Sequence, residues 1–196
     1  SIDVKLTGGS FLTLKTAESW SEPFKSGDMT LAHSHRSTAG DFTFKTAAVN
    51  MAGGRVGASK TRTRENNRSI AENVLAKGRI RISENSKISL ANNFFWTDRE
   101  VPGMEEETTL LSPANPLEAK QEIFRNTSNI LFEMEKLFVD PLSFQSGVTF
   151  FFDNDHFKDP TPAIGNPIDV TYISYAPEAH AQVMHIASWR GINLAS

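Results

Sequence analysis

The sequence predicts an all-β fold, an antiparallel up-and-down meander of about eight long strands that is part of a transmembrane β-barrel. Apolar residues recur with a period of two along most of the chain, whereas helical periodicity is rare. The predicted strands, of about 11 to 17 residues, exceed the usual length of about 5 to 6. Short links alternate with long polar ones, as in barrels with short periplasmic turns and long extracellular loops.

The composition excludes several classes of function and of site. The 196 residues carry a net charge of −3 with a pI near 6.0, so no basic excess is available for nucleic acid, and we predict no nucleic-acid partner. The chain has no cysteine, which excludes disulfides and thiolate metal sites. The sequence contains no run of about 18 apolar residues, so it predicts no transmembrane helix. Barrel strands alternate apolar and polar residues and would not be detected in this way.

The strands follow from the alternation in chain order. The runs "IDVKL", "FLTLKTA" and "MTLAHSH" alternate near the start, and "ENVLAKGRIRIS", "KISLANNFFW" and "LSFQSGVTFFFDN" alternate most clearly. In the segment Pro116 to Phe138, good helix formers fill Leu117 to Ile123, but the second half alternates and favours a strand. The run "AQVMHIASW" alternates less cleanly near the end.

The links predict two different ends of the sheet. We expect short links at Ser19 to Asp28, Glu84 to Ser86 and Val139 to Pro141. Long links are expected at Ser37 to Arg68, Asp98 to Glu118 and Asp155 to Ala179. The long links should share one end of the meander, because successive connections of such a sheet alternate between its ends.

The alternation also predicts two unlike faces. The face predicted to point outward contains Val74, Ile80, Ile82, Ile88, Leu90, Phe94 and Phe150. The opposite, polar face contains Lys77, Arg79, Arg81, Gln145 and Thr149. Trp96 would lie near a membrane interface, where amphipathic aromatic residues are favoured. A soluble sandwich or barrel alternates in the same way, so a soluble β-rich binding module stays open at this point.

A longer stretch resembles a known family. The segment Thr61 to Met104 resembles the barrel of TonB-dependent outer-membrane receptors, in which a loop with arginine and asparagine precedes a strand, a turn and a second strand. The matching residues are Arg64, Glu65, Asn66 and Asn67, the turn Ser83 to Asn85, Asp98, Arg99 and Glu100, then Pro102 and Gly103. "TGGSF" at Thr7, "GDFTF" at Gly40 and "FFFDNDHFKDP" at Phe150 are similar to further barrel elements.

The resemblance implies a function and a place. Residues 1–196 would be a single domain, the N-terminal section of a receptor barrel without its plug domain, in the bacterial outer membrane. The whole protein would take up a scarce ligand, such as an iron-siderophore, a cobalamin-like cofactor or a saccharide. Its partners would be outer-membrane lipid, the plug domain, the TonB complex of the inner membrane and the small-molecule ligand. No enzymatic activity and no cofactor are expected.

The same resemblance implies candidate site residues. Loop residues expected to meet ligand are Arg62, Arg64, Asn66, Asn67, Asp98, Arg99 and Glu100. Lys77, Arg79 and Arg81 would face the lumen and contact the plug or an anionic ligand, or simply be solvated there. The second hypothesis is a self-contained eight-strand barrel with a structural or small-ligand-binding role, because eight strands can close.

Two other clusters favour unremarkable interpretations. His33 and His35 share a strand face, but no carboxylate accompanies them in the run "LAHSHRS", so we interpret them as solvated surface and predict no metal site. Asp153, Asp155 and Asp159 offer oxygen donors but lack the spacing of an EF-hand, which favours a solvated acidic loop.

Overall fold

The computed structural model describes residues 1–40, 43–46, 60–63, 67–101, 118–136, 142–162, 166–189 and 192–195. These residues form strands and turns, and no helix among them could span a membrane. The strands are β1 (Ile2–Gly9), β2 (Thr13–Phe24), β3 (Gly27–Thr38), β4 (Thr43–Thr46), β5 (Lys60–Thr63), β6 (Ser69–Ser83), β7 (Ser86–Glu100), β8 (Lys120–Met134), β9 (Leu142–Asp159), β10 (Ile168–Trp189) and β11 (Ile192–Ala195).

Eight long strands form one antiparallel up-and-down sheet, which confirms the predicted all-β meander. The spatial order is β1-β2-β3-β6-β7-β8-β9-β10-β11, with the four-residue β11 added beside the end of β10. Among the described residues, β1 pairs only with β2 and β11 only with β10, so this sheet is open. A separate hairpin of β4 and β5 lies within the connection from β3 to β6.

The connections confirm three predicted links, including the turn at Glu84 and Asn85, and correct two others. The predicted link Val139 to Pro141 lies outside the described residues. Residues 39–68 and 101–119 join long strands at one end of the sheet, which we call the loop end. Ser19 to Asp28 is not a link, because β2 continues to Phe24 and the turn holds Lys25 and Ser26 alone. Asp155 to Ala179 is not a long loop either, since it reduces to residues 160–167.

Strands β2 and β10 each contain a proline within the segment predicted as a link. Pro23 and Pro177 donate no hydrogen bond to a ladder. In the described sheet, Pro23 lies beyond the part of β2 that pairs with β1, and Pro177 lies where β10 pairs with β9 alone. Strands with one free side tolerate proline, so both strands run through it.

Register divides the sheet into two chemically different faces. Cross-strand partners share a face, and one row on the first face joins Met29, Gly78, Leu90, Ile130, Val148 and Ala179. We call this side the apolar face. Met29, Leu90, Ile130 and Val148 are 45%, 43%, 52% and 52% exposed, respectively. The outward residues of the sequence prediction share this face, and Lys77, Arg79, Arg81, Gln145 and Thr149 share the opposite, polar face.

The sheet is a single layer with almost no buried core. Ala119 and Ile123 are the buried hydrophobic residues of the described chain, at 8% and 9% exposure. Ile80 and Phe150, which a soluble module would bury, are exposed. A soluble domain of this length would bury most of its apolar surface, which the described apolar face leaves exposed.

Aromatic rings connect neighbouring strands on the apolar face. The rings of Phe94 and Phe124 meet edge to face with centroids 5.0 Å apart, and Phe124 meets Phe152 in the same way at 5.6 Å. Such pairs contribute about 0.5–1.5 kcal/mol beyond the area they bury. These contacts join β7, β8 and β9 on the apolar face.

Candidate functional site

A depression of about 630 Å³ lies on the polar face at the loop end. Its lining comes from several strands and the connections that follow them: Phe11, Thr13, Arg36, Thr38, Gly40, Asn67, Ser69, Arg99, Glu100, Val101, Gln121 and Phe157. Two arginines, hydroxyl groups and two phenylalanines therefore surround one open space. We take this depression as the candidate ligand site.

Hydrogen bonds between strands organise one wall of the site. The Thr38 hydroxyl donates to the Phe11 carbonyl at 3.0 Å and accepts from the Gly40 amide at 3.1 Å. The Thr13 hydroxyl lies 3.3 Å from that of Thr38 and donates to the Ser10 carbonyl at 2.7 Å. These bonds tie the β1–β2 turn to the end of β3.

The β1–β2 turn is strained. Phe11 and Leu12 have φ values of 59° and 52°, the left-handed region that glycine or asparagine normally occupies in a two-residue hairpin turn. Each such conformation costs a larger residue about 1–2 kcal/mol. The turn nevertheless presents two exposed apolar side chains, and strain of this kind often marks a functional position.

The other wall is a polar network. Arg99 donates from Nε to Gln121 Oε1 at 2.9 Å, and a second guanidinium nitrogen donates to the same oxygen. Gln121 in turn donates from its amide nitrogen to both carboxylate oxygens of Asp155, at 2.7 and 2.8 Å. Glu100 accepts from the Arg68 amide at 2.9 Å. Among the described residues, the network holds Arg99 through Gln121 and not through a direct carboxylate contact.

Three of the predicted ligand residues line this depression: Asn67, Arg99 and Glu100. Asp98 does not line it and pairs with Glu122 on the apolar face. Glu100 has the same parity in β7, but it is the last residue of the strand and lines the depression there. The backbone of Arg62 is part of β5, outside the main sheet, while Arg64 and Asn66 lie outside the described residues. Sequence reasoning missed Arg36 and Gln121, which only the sheet brings to the same depression as Arg99.

The predicted lumen residues occupy the polar face away from this site. Arg79 donates from Nε and Nη2 to Asp28 Oδ2 at 3.0 and 2.8 Å. With Arg81 it lines a second depression of about 520 Å³ at the short-turn end, while Lys77 lies between the two depressions. The structure therefore separates these residues from the candidate ligand site.

The histidine pair has carboxylate partners, contrary to the sequence interpretation. His33 contacts Glu18 through Nδ1 and Glu72 through Nε2, each at 2.8 Å, and His35 Nδ1 contacts Glu72 at 2.6 Å. The carboxylates come from β2 and β6, so a search within β3 could not find them. No group of metal-binding geometry occurs among the described residues. The cluster lies on the apolar face, where paired polar groups cost less than unpaired ones.

The three aspartates lie in a strand and not in an acidic loop. Asp153 and Asp155 belong to β9 and project from the polar face. Asp153 Oδ1 accepts from Arg125 Nε at 3.0 Å, and Asp159 Oδ1 accepts from the Thr161 amide at 3.2 Å. Each of the three carboxylates therefore has at least one hydrogen-bond partner among the described residues.

A small ion cluster closes the loop end of the apolar face. His156 Nε2 lies 2.7 Å from Asp169 Oδ1, and Lys158 Nζ lies 3.6 Å from Oδ2. The His156 hydrogen bond lowers the pKa of Asp169, desolvation opposes the shift, and the Lys158 charge adds to it. A lowered folded pKa means that the contribution of Asp169 is present above the unfolded pKa. It is lost as the pH falls through the folded pKa.

We predict that His156→Ala raises the pKa of Asp169 towards its ordinary value, because the largest cause of the shift is removed. The carboxyl carbon resonance of Asp169, followed by NMR across acidic pH, measures the change. Lys158→Ala should shift this pKa less. An unchanged titration in His156→Ala would contradict the assignment of that hydrogen bond.

No protein-family model and no curated protein matches the chain.

Proposed function

We propose that the sheet is part of a transmembrane β-barrel and that the chain is an N-terminal section of a TonB-dependent receptor barrel in the outer membrane. The observation that carries the proposal is the apolar row from Met29 to Val148. Met29, Leu90, Ile130 and Val148 each remain between 43% and 52% exposed, although each lies in a strand that is paired on both sides. Fully burying such side chains is worth about 1.5–3 kcal/mol each, so a covering by lipid stabilises the sheet.

The opposite face supports a wet lumen. It carries arginine, lysine, glutamine and threonine in the same strands, the alternation expected of a barrel wall. Strands β6 to β10 contain 15 to 22 residues, more than the roughly 9–11 that a tilted strand needs to cross the hydrocarbon core. Their excess length would project beyond the lipid at the loop end.

Within this proposal the loop end faces outward and recruits a scarce ligand. Iron-siderophore, cobalamin-like and saccharide ligands are the classes that the family resemblance implies. The polar face would contact a plug domain, through which the TonB complex transmits energy from the inner membrane. The depression bounded by Arg36, Arg99 and Asn67 is the proposed ligand entrance.

Uptake measurements test the transport function. Cells carrying the protein that contains this chain would be given a radiolabelled iron chelate, a cobalamin or an oligosaccharide, with and without the proton gradient of the inner membrane. We expect accumulation of one class, abolished when the gradient is collapsed. Accumulation that survives collapse of the gradient, or no accumulation of any class, would contradict energy-coupled uptake.

The second candidate is a self-contained eight-strand barrel, which the number of long strands favours. Closure would place β1 beside β10, and the absence of native cysteine allows a clean test. Cysteine pairs would join positions on β1, such as Val4, to positions on β10, such as Val183. The receptor proposal predicts no disulfide within one chain in lipid, whereas efficient cross-linking would favour the small barrel.

A further inference from the structure

We propose that Lys15, Arg36 and Phe11 form a binding subsite for an organic oxyanion, a carboxylate or phosphate that carries an apolar group. The inference deepens the candidate ligand site and rests on the proposed function for its biological role. A smaller depression of about 290 Å³ adjoins the main one, and the two share Phe11, Thr13 and Arg36. Lys15, the end of β1 at residues 7–9 and the turn residue Ser10 complete its lining.

The first argument is an unbalanced pair of charges. Lys15 and Arg36 are direct cross-strand partners on the polar face. Like charges placed directly opposite each other destabilise a sheet. Neither side chain has a hydrogen bond or ion pair with any part of the chain that the structure describes. An oxyanion between them would replace this repulsion by two attractions, and the Arg36 guanidinium can bind it through two nitrogens.

The second argument is the charge of the surrounding face. On β1, β2, β3, β6 and β7 the polar face carries the basic residues Lys5, Lys15, Arg36, Lys77, Arg79, Arg81, Lys87 and Arg99, against the acidic residues Asp3 and Asp28. On β8, β9 and β10 it carries Arg125 against Glu133, Asp153, Asp155, Asp159 and Glu178. The half that contains the subsite is therefore strongly basic, which attracts anions.

The third argument is the strained turn beside the cations. Phe11 is 53% exposed and adopts a left-handed backbone conformation that a phenylalanine rarely adopts. The hydrogen bond from Thr38 to the Phe11 carbonyl holds this conformation from the neighbouring strand. The turn thus places an aromatic side chain at the edge of the depression that Lys15 and Arg36 line. An anion with an apolar group would contact both.

Calorimetric titration of the full chain in nonionic detergent tests the subsite. The probes are phenylphosphonate, inorganic phosphate and neutral benzamide. We expect phenylphosphonate to bind more tightly than phosphate, and benzamide not to bind at millimolar concentration. Arg36→Gln should weaken phenylphosphonate binding at least about tenfold, because a hydrogen bond to a charged group is worth about 1.5–3 kcal/mol. Phe11→Ala should weaken phenylphosphonate but leave phosphate unchanged.

Matched variants separate the site from a general charge effect. Lys87→Gln removes one positive charge from the polar face at the short-turn end and should leave phenylphosphonate affinity unchanged. Arg36→Lys keeps the charge but not the planar fork, so it should lose less affinity than Arg36→Gln. Far-UV circular dichroism shows whether each variant retains its sheet.

Several results would overturn the subsite. Equal losses of phenylphosphonate affinity in Arg36→Gln and Lys87→Gln would show only a general attraction of anions to the basic face. If neither phenylphosphonate nor phosphate binds, the chain has no such subsite. Binding by the purified chain is independent of energy coupling. Suppose that uptake does not depend on the proton gradient, while Arg36→Gln weakens phenylphosphonate binding. That result would contradict only the transport proposal. If uptake depends on the gradient but Arg36→Gln leaves phenylphosphonate binding unchanged, only the subsite proposal would be contradicted.

Discussion

Val148→Arg should destabilise the lipid-embedded protein by about 2–4 kcal/mol, the cost of an arginine at the middle of the lipid-facing side of a barrel. Val148 lies within β9 on the apolar face, between Ile130 and Ala179, and is 52% exposed. In water the same substitution at an exposed position would be nearly neutral. The sign and size of the effect therefore report what covers this face.

Gln145→Arg on the same strand is the matched control for this substitution. Gln145 lies on the polar face opposite Glu133, where a new positive charge gains a partner. Urea unfolding of both variants in lipid vesicles, followed by tryptophan fluorescence, gives the two free energies of unfolding. Equal stability of Val148→Arg and Gln145→Arg would contradict a lipid-facing surface.

Gly27→Ala should cost at least about 2 kcal/mol, because an added methyl group meets backbone that cannot move aside cheaply. A Cβ at Gly27 would lie 1.9 Å from the carbonyl oxygen of Arg79 and 2.9 Å from the ring of Phe24. The amide of Arg81 also donates to the Ser26 carbonyl beside it, at 2.6 Å. This close approach fixes the β2–β3 turn against β6.

Gly78→Ala provides the control, since a Cβ there meets no atom within 4 Å. Alanine restricts the unfolded chain more than glycine does, so Gly78→Ala should be neutral or stabilising by up to about 1 kcal/mol. The same urea titration compares the two variants. Similar stabilities for both would show that the turn and β6 do not approach as closely as described.

Much of the fold could be predicted from the period of two. The runs from Val74 to Ile82 and from Ile88 to Trp96 fall within β6 and β7, and their turn falls at Glu84 and Asn85 as expected. The helix-forming start of the segment from Pro116 was ambiguous. In β8 the strand begins at Lys120, because pairing on both sides with β7 and β9 outweighs local helix propensity.

The candidate site was harder to predict because its residues meet only through register. Loop chemistry pointed to Asn67, Arg99 and Glu100, and all three line the depression. Asp98 has similar chemistry and the same strand parity as Glu100, but it lies two residues before the end of β7 and does not line the depression, a distinction that the motif alone does not encode. Glu72 became the partner of two histidines for the same reason, since β3 and β6 are far apart in sequence yet adjacent in the sheet.

The measurement that tests the lipid-facing sheet most directly is spin-label accessibility along β7 in lipid vesicles. The chain has no cysteine, so single cysteines at positions 88 to 94 can each carry one label without background. Labels at Ile88, Leu90 and Phe94 should collide mainly with oxygen dissolved in the bilayer, and labels at Ser89, Ala91 and Asn93 mainly with a water-soluble nickel complex. Equal access of the nickel complex to both sets, or the reverse alternation, would contradict a sheet whose apolar face meets lipid.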